Sequence, residues 1–271
     1  MKRALEEPIP IILFDLYDNV LSNVTQATCD SQQTVFTVLS WLFHAKRPLQ
    51  MSELQEVLAI SEGDAELDPD DRTPPAEIVQ ACGNFVIYDP MSGIVGFSHD
   101  EVRKYLENRH ACDLLKDVDM AITCLTYLLF DAFEEGLCSD EHSFVNRTNR
   151  YPFGQYAACY WGVYTKGLGE KNPKIHEMLL TLMKSPKRDS MEQLYKAQRS
   201  EDWNLHIRHR SKTLLHVIAE NDLTIMAKML LDASICTVTS QSPTALPISS
   251  LSFHSFSLSL SLSLHRVFLF D

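Results

Sequence analysis

The apolar positions between residues 33 and 44 recur with the period of an α-helix. They are spaced i, i+3, i+4 and i+7, with polar side chains on the opposite side: Val35, Val38, Leu39 and Leu42. Pro48 ends the pattern, because a proline disfavours helical backbone at the residue before it. Ser52 stands three residues before Gln55, which is the spacing of a capping box, so a second helix is predicted from there.

An acidic, proline-ended segment at residues 62–75 is predicted to be a loop. A short third helix is expected at about 75–82, with Gly83 at its end. The stretch "FVIYDPMSGIVGF" then contains two β-rich runs separated by a five-residue turn, which predicts a hairpin. Ser98 and Glu101 form another capping box that predicts a further helix. Three helices followed by a hairpin is the order of a winged-helix domain, which we place at residues 33–108.

Residues 109–205 are helical in pattern throughout and predict a second, helical domain. Asp117 is expected to cap a helix that is apolar over a wide arc, as in a helix packed against several neighbours. Pro152 suits the first turn of the helix "YPFGQYAACYWGVY", and Asn172 followed by Pro173 predicts another helix start. Ser190 and Gln193 suggest the start of one more.

Residues 206–233 contain the ankyrin pattern in part. Thr213 to His216, then Ala219, then Leu230 and Leu231 follow the consensus T-P-L-H-x-A…LL. Leucine replaces the usual proline of that consensus, and Asp222 replaces its usual glycine. This segment predicts a single incomplete ankyrin repeat, and because about three repeats are needed for independent stability it cannot stand alone.

Serine and leucine alternate in the last segment, residues 234–271. A CT dinucleotide tract read in triplets encodes this alternation, so the segment resembles a translated microsatellite. We expect this low-complexity tail to be disordered and to have no function of its own. The overall prediction is a mainly α-helical protein, in which a winged helix is followed by a helical domain and one partial ankyrin repeat.

Several stretches together resemble fungal signal-transducing NTPases of the NACHT–ankyrin type, members of the STAND class. These are "LYDNVL", "VLSWLFHAKRPLQMSELQEVLAI", "ACGNFVIYDPMSGIVGFSHDEVRKYL", "CLTYLLFDAF" and "YPFGQYAACYWG". The resemblance implies an ATPase module, then a winged helix of the GPI inositol-deacylase type, then a helical segment and ankyrin repeats. It also implies that residues 1–32 are a linker helix after a missing NTPase module. The sequence has neither a G-x-x-x-x-G-K-[ST] phosphate loop nor a G-x-S-x-G nucleophile elbow.

Charge and cysteine content narrow the class of function. The net charge is −12 over 271 residues, which argues against a nucleic-acid or anionic-membrane partner. No apolar run reaches the length of a membrane span. The seven cysteines include no C-x-x-C pair, so free thiols in a reducing compartment, the cytoplasm, are expected.

Two pairs of side chains have the spacing of a metal site. Asp15 and Asp18 are a carboxylate pair on a predicted helix, which we interpret as a solvated helix face rather than a metal or catalytic site. His206 and His209 also have a helical spacing. Neighbouring arginines disfavour Zn²⁺ there, so a basic linker is the favoured interpretation.

Three further candidates have structural interpretations. Cys82, His110 and Cys112 lack standard zinc spacing, so buried structural thiols are expected. The resemblance implies a structural role for His216. An aromatic group at helical spacing is interpreted as core and inter-domain packing: Tyr151, Phe153, Tyr156, Tyr160, Trp161 and Tyr164.

No catalytic, cofactor-binding or metal-binding residue is therefore assigned, and neither an enzymatic activity nor a small-molecule substrate is predicted. The favoured function is a non-catalytic regulatory fragment of a NACHT–ankyrin receptor that binds protein partners. A free-standing protein-binding adaptor is an alternative. A DNA-binding winged helix is a second alternative, but the third helix contains Glu77 and no lysine or arginine, whereas phosphate contacts need cations on that face.

Overall fold

A computed structural model describes residues 11–25, 29–200 and 214–232. This part of the chain contains twelve α-helices and one small sheet. The helices are α1 Ile11–Thr25, α2 Cys29–His44, α3 Met51–Ala59, α4 Pro75–Ala81, α5 Asp100–Arg109, α6 Asp117–Leu128, α7 Glu141–Arg150, α8 Phe153–Thr165, α9 Pro173–Lys184, α10 Lys187–Ser200, α11 Leu214–Glu220 and α12 Thr224–Asp232. The strands are β1 Leu49–Gln50, β2 Val86–Tyr88 and β3 Ile94–Phe97.

The order α2, β1, α3, α4, β2, β3 builds the expected winged helix. The predicted hairpin is confirmed: β2 and β3 pair antiparallel, with Val86 opposite Phe97. Strand β1 was not predicted. It is two residues long and pairs with β3, so the sheet order is β1-β3-β2 and the corner after α2 is the first strand of the sheet.

The predicted ends of the third helix are also confirmed, since α4 stops at Ala81 and Gly83 follows with a φ of +55°. An L side chain is strained at this φ, which favours glycine. The position also faces α1, because a Cβ on Gly83 would lie 3.1 Å from a methyl group of Val24.

Two predicted capping boxes are wrong. Helix α3 follows Gln50, whose N–H donates to the Glu53 carboxylate at 2.9 Å, so Ser52 lies within the first turn and is not the cap. Helix α5 begins at Asp100, and Ser98 instead donates its hydroxyl hydrogen to the carbonyl of Asn84 at 2.6 Å. Ser52 lies two residues after the residue that precedes α3, and Ser98 lies one residue before the residue that precedes α5, so neither serine is at the N-cap.

Two other helix starts need the same correction. Asp117 is the first residue of α6 and does not cap it; the carboxylate of Asp119 accepts the N–H of Lys116 at 2.9 Å. Helix α10 begins at Lys187, so Ser190 lies inside it and is buried. The start predicted at Asn172 is confirmed, because its side chain accepts the N–H of Lys174 at 2.9 Å.

The helical region, α6 to α10, is centred on the packed pair α6 and α8. Helices α9 and α10 cover this pair, and the helix pair α11–α12 packs beyond them against α9. The turn within the helix pair contains Asp222 at a φ of 55°. One hydrophobic cluster runs through all of these elements, from Leu21 of α1 to Met226 of α12. The winged helix and the helical region therefore share a core.

Candidate functional site at the junction of winged helix and helical region

The basic corner after α2 lies directly on two tyrosines of α8. The backbone N–H of Lys46 donates to the Tyr156 hydroxyl at 3.1 Å. The Lys46 ammonium lies 4.7 Å from the centre of the Tyr164 ring, and the Arg47 guanidinium lies 4.9 Å from that of Tyr156. Cation–π contacts of this kind are stronger where water is partly excluded. The corner thus joins the winged helix to the helical region.

Aromatic packing continues the same contact inward. Trp41 of α2 is buried and meets Phe153 edge-on, with ring centres 5.4 Å apart. It makes similar contacts with Tyr156 and Tyr164, each at 6.1 Å. The two tyrosine hydroxyls are 2.6 Å apart, and Tyr164 donates to the carbonyl of His44 at 3.1 Å. The polar ends of these rings therefore have partners at the end of α2, as buried tyrosines require.

Glu56 of α3 is the charged centre of the junction, and its side chain is fully buried. Its carboxylate accepts hydrogen bonds from Arg72 at 2.5 Å, from the Tyr127 hydroxyl at 2.5 Å and from the backbone N–H of Phe153 at 2.9 Å. We call these four groups the Glu56 cluster. Since Phe153 begins α8, the carboxylate also lies at the positive end of that helix dipole. Arg72 in addition donates to the carbonyl of Arg150 at 2.9 Å.

Burial determines the titration of this cluster. Loss of water raises the pKa of Glu56, although the three hydrogen bonds and the positive charge of Arg72 act in the opposite direction. The pKa of Tyr127 is also raised, first by burial and then by the adjacent Glu56 carboxylate. Ionising Glu56 in this buried place costs free energy, and the charge is tolerated because its hydrogen-bond donors are in place.

The acidic loop after α3 is fixed to the helical region by a backbone hydrogen bond. The N–H of Asp131 donates to the carbonyl of Ala65 at 2.7 Å, and Lys174 forms an ion pair with Glu62. Leu67, in the middle of the loop, is buried. Four further acidic side chains of the loop face solvent: Glu66, Asp68, Asp70 and Asp71.

The surface that a DNA-binding winged helix would use is therefore acidic or neutral. Helix α4 exposes Glu77 and Gln80 and contains no basic residue. The hairpin exposes apolar side chains instead: Ile87, Met91 and Ile94. Neither element supplies the cations that neutralise phosphates.

The carboxylate pair of α1 faces solvent in part, since the Asp15 side chain is exposed, but both carboxylates also have partners on α5. Asp18 accepts the Tyr105 hydroxyl at 2.7 Å and forms an ion pair with Arg109. Asp15 accepts from the same guanidinium at 3.1 Å. The pair holds α1 against α5, and the burial of Tyr105 raises its pKa to about 12.

The proposed zinc candidates are not brought together. Cys82 is buried, and burial raises its pKa to about 12. Cys112 is exposed, so the expectation of buried thiols is wrong for this residue. His110 lies 2.9 Å from the Tyr105 hydroxyl and 2.8 Å from a carboxylate oxygen of Asp113. Within residues 11–25, 29–200 and 214–232, no group of three His, Cys, Asp or Glu side chains could hold a metal ion.

The aromatic group lies in the core and at the junction, as its packing interpretation predicts. Its buried members are Phe153, Tyr156, Trp161 and Tyr164. His216 lies exposed on α11. The candidates at 206 and 209 and the tail at 234–271 lie outside the described residues.

Glu56 was not predicted as a site residue. Its place in α3 resembles that of any polar helix residue, and its three partners lie 16 to 97 positions away in the sequence. The helical period gave no signal of its burial, because at 3.6 residues per turn Glu56 lies about 160° from Leu54 and Leu58 and about 100° from Val57.

Comparison with known proteins supports the winged helix. Residues 22–123 match the family model described as GPI inositol-deacylase, winged helix domain. The match begins in α1 and ends in α6, and it covers less than half of the chain. No curated protein and no solved structure matches the chain significantly. No helix in the described part of the chain is both long and apolar enough to cross a membrane.

Proposed function

We propose that the chain is a non-catalytic regulatory and protein-interaction region of a NACHT–ankyrin signalling receptor. The winged helix would couple an NTPase module to ankyrin repeats, in the cytoplasm. The observation that carries the proposal is the junction: one face of the winged helix is occupied by the helical region through Trp41, the basic corner and the Glu56 cluster. A winged helix held in this way serves as a packing module.

The charges of the open face support a protein partner over DNA. Glu77 and the exposed acidic side chains of the loop after α3 would repel phosphates, and the hairpin presents apolar side chains. Exposed apolar side chains near one another are typical of surfaces that contact other proteins.

The helix pair α11–α12 supports the ankyrin part of the proposal. It has the helix–turn–helix form of such a repeat, and it spans the residues of the partial consensus from Leu214 to Leu231. Val217, Ile218, Leu223 and Met226 are buried against the rest of the chain. A repeat that rests on the helical region would be a suitable first unit for an array, because each unit needs a neighbour to cover its apolar face.

Sequencing the full transcript tests the receptor assignment. An in-frame phosphate-loop sequence upstream and ankyrin repeats downstream would support it. A transcript that encodes neither would contradict it and leave the adaptor alternative.

A gel-shift titration at low salt with the purified chain tests the exclusion of DNA. We expect no shift of a random duplex, because the open face lacks cations. A shift at micromolar protein that weakens steeply with salt would show DNA binding and contradict the proposed role. A winged helix with a basic third helix serves as the positive control.

A further inference from the structure

Helix α8 contacts the winged helix along its length, and its C-terminal end also contacts the helix pair α11–α12. It has 13 residues, which corresponds to about 20 Å at ~1.5 Å per residue. At its start, the N–H of Phe153 is bound by Glu56, and Trp41 packs on the Phe153 ring. The junction tyrosines, Tyr156 and Tyr164, extend this contact along the helix.

The other end of α8 fits closely against the turn of the helix pair. Gly162 leaves space for Asn221, since a Cβ on this glycine would lie 2.0 Å from the Asn221 side-chain oxygen. Lys166 forms an ion pair with Asp222 at 3.2 Å, just beyond the helix end. A side chain larger than hydrogen at position 162 would therefore push the helix pair away.

A buried carboxylate then fixes the helix pair in place. Glu170, five residues beyond α8, is 3% exposed. It accepts the backbone N–H groups of Ile225 at 2.7 Å and Met226 at 3.1 Å, which are free donors in the first turn of α12. Its other oxygen accepts the N–H of Gly167 at 3.0 Å, so the segment after α8 is tied to α12.

We infer that α8 is a rigid strut that couples the winged helix to the helix pair. A disturbance of the Glu56 cluster loosens the start of α8, and the loosening reaches α11–α12 through the Gly162 contact and Glu170. Packed helices with closely fitting ends carry such coupling because they cannot deform continuously. The inference concerns contacts within this chain alone. It can therefore fail although the proposed receptor function is correct, and it can hold although that function is wrong.

Hydrogen exchange on the full chain tests the strut. The variants are Glu56→Ala, which removes the acceptor at the centre of the cluster, and Arg72→Gln, a milder change at a partly exposed side chain. We expect both to speed amide exchange at 153–158 and, by roughly threefold or more, at 214–232. The control is Arg109→Gln, which breaks the ion pairs between α1 and α5 and should speed exchange at 11–25 alone.

Three results would overturn the inference. The first is a wild-type rate at 214–232 although exchange at 153–158 has increased. The second is an unchanged rate at 153–158, which would show that the cluster does not hold the start of α8. The third is an equal increase at 214–232 in the control, which would indicate a general loss of stability. Should Glu56→Ala fail to fold, Arg72→Gln decides between the outcomes.

Discussion

At the scale of the residue, Glu56 shows how one buried charge joins distant parts of the chain. Each of its three partners is a donor, and none is near it in sequence. Breaking a buried ion pair by removing one partner leaves the others unsatisfied, which costs more than the pair itself contributes. The residue is therefore more important for holding the junction together than for the net stability it adds.

Replacing Glu56 by alanine should lower the unfolding free energy by about 3 kcal/mol, because Arg72, the Tyr127 hydroxyl and the Phe153 N–H all lose their acceptor. Urea denaturation measures this. The matched control is Glu77→Ala on α4, whose side chain is exposed and should change stability by less than about 0.5 kcal/mol. Equal effects of the two substitutions would show that the Glu56 cluster is not formed.

The raised pKa of Glu56 determines how its contribution to the unfolding free energy changes with pH. Since the folded state holds the proton more tightly than the unfolded chain, this contribution is complete at low pH and is lost as pH rises above 4.5 through the raised value. Glu56→Gln abolishes the effect. We expect the stability of the wild type relative to Glu56→Gln to fall in urea titrations as pH rises above 4.5. A difference that rises with pH would mean that the hydrogen bonds outweigh desolvation.

At the scale of the element, the sequence pattern predicted correctly where helices occur but often placed their first residues wrongly. The apolar period located α2, α3 and α9, and the five-residue spacing located the hairpin. The pattern S-x-x-E or S-x-x-Q, however, also recurs by chance. In α3 the acceptor is the Glu53 carboxylate, which binds the backbone N–H of Gln50. Strand β1 was missed because two residues carry no period, and its pairing with β3 becomes visible only in three dimensions.

Two alanine substitutions separate the true cap from the false one. Asn172→Ala should cost about 1 kcal/mol, because the N–H groups of Lys174 and Ile175 lose their acceptor. Ser52→Ala should change stability by less than about 0.5 kcal/mol, because Ser52 is exposed in the first turn of α3 and caps nothing. Thermal or urea denaturation measures both. A larger cost at Ser52 than at Asn172 would contradict the assigned starts.

The end of α8 makes a second prediction at this scale. Gly162→Ala should displace Asn221 and destabilise the helix pair, whereas Gly96→Ala, at a position with nothing within 4 Å of the added Cβ, should not affect it. Proteolysis at 214–232 measures the local loss of order. Asn221→Gly in the Gly162→Ala background should restore resistance, because it removes the side chain that the new methyl group meets. No change in cleavage with Gly162→Ala would show that α8 does not contact the turn closely.

At the scale of the whole molecule, the central claim is that the winged helix and the helical region form one cooperative unit. The aromatic pattern at residues 151–164 predicted inter-domain packing but not its partners, because the junction depends on side chains from α2, α3, α6 and α8 that meet only in the fold. The continuous core and the Glu56 cluster both cross this boundary. A boundary crossed by shared core residues should not open before the parts it joins.

Hydrogen exchange in increasing urea tests this claim most directly, by following unfolding in the full chain at residues 49–97 and at residues 153–184. We predict the same urea midpoint for both segments, because neither keeps its core without the other. Two separate midpoints, with one segment still protected after the other has exchanged, would show independent domains and contradict the account.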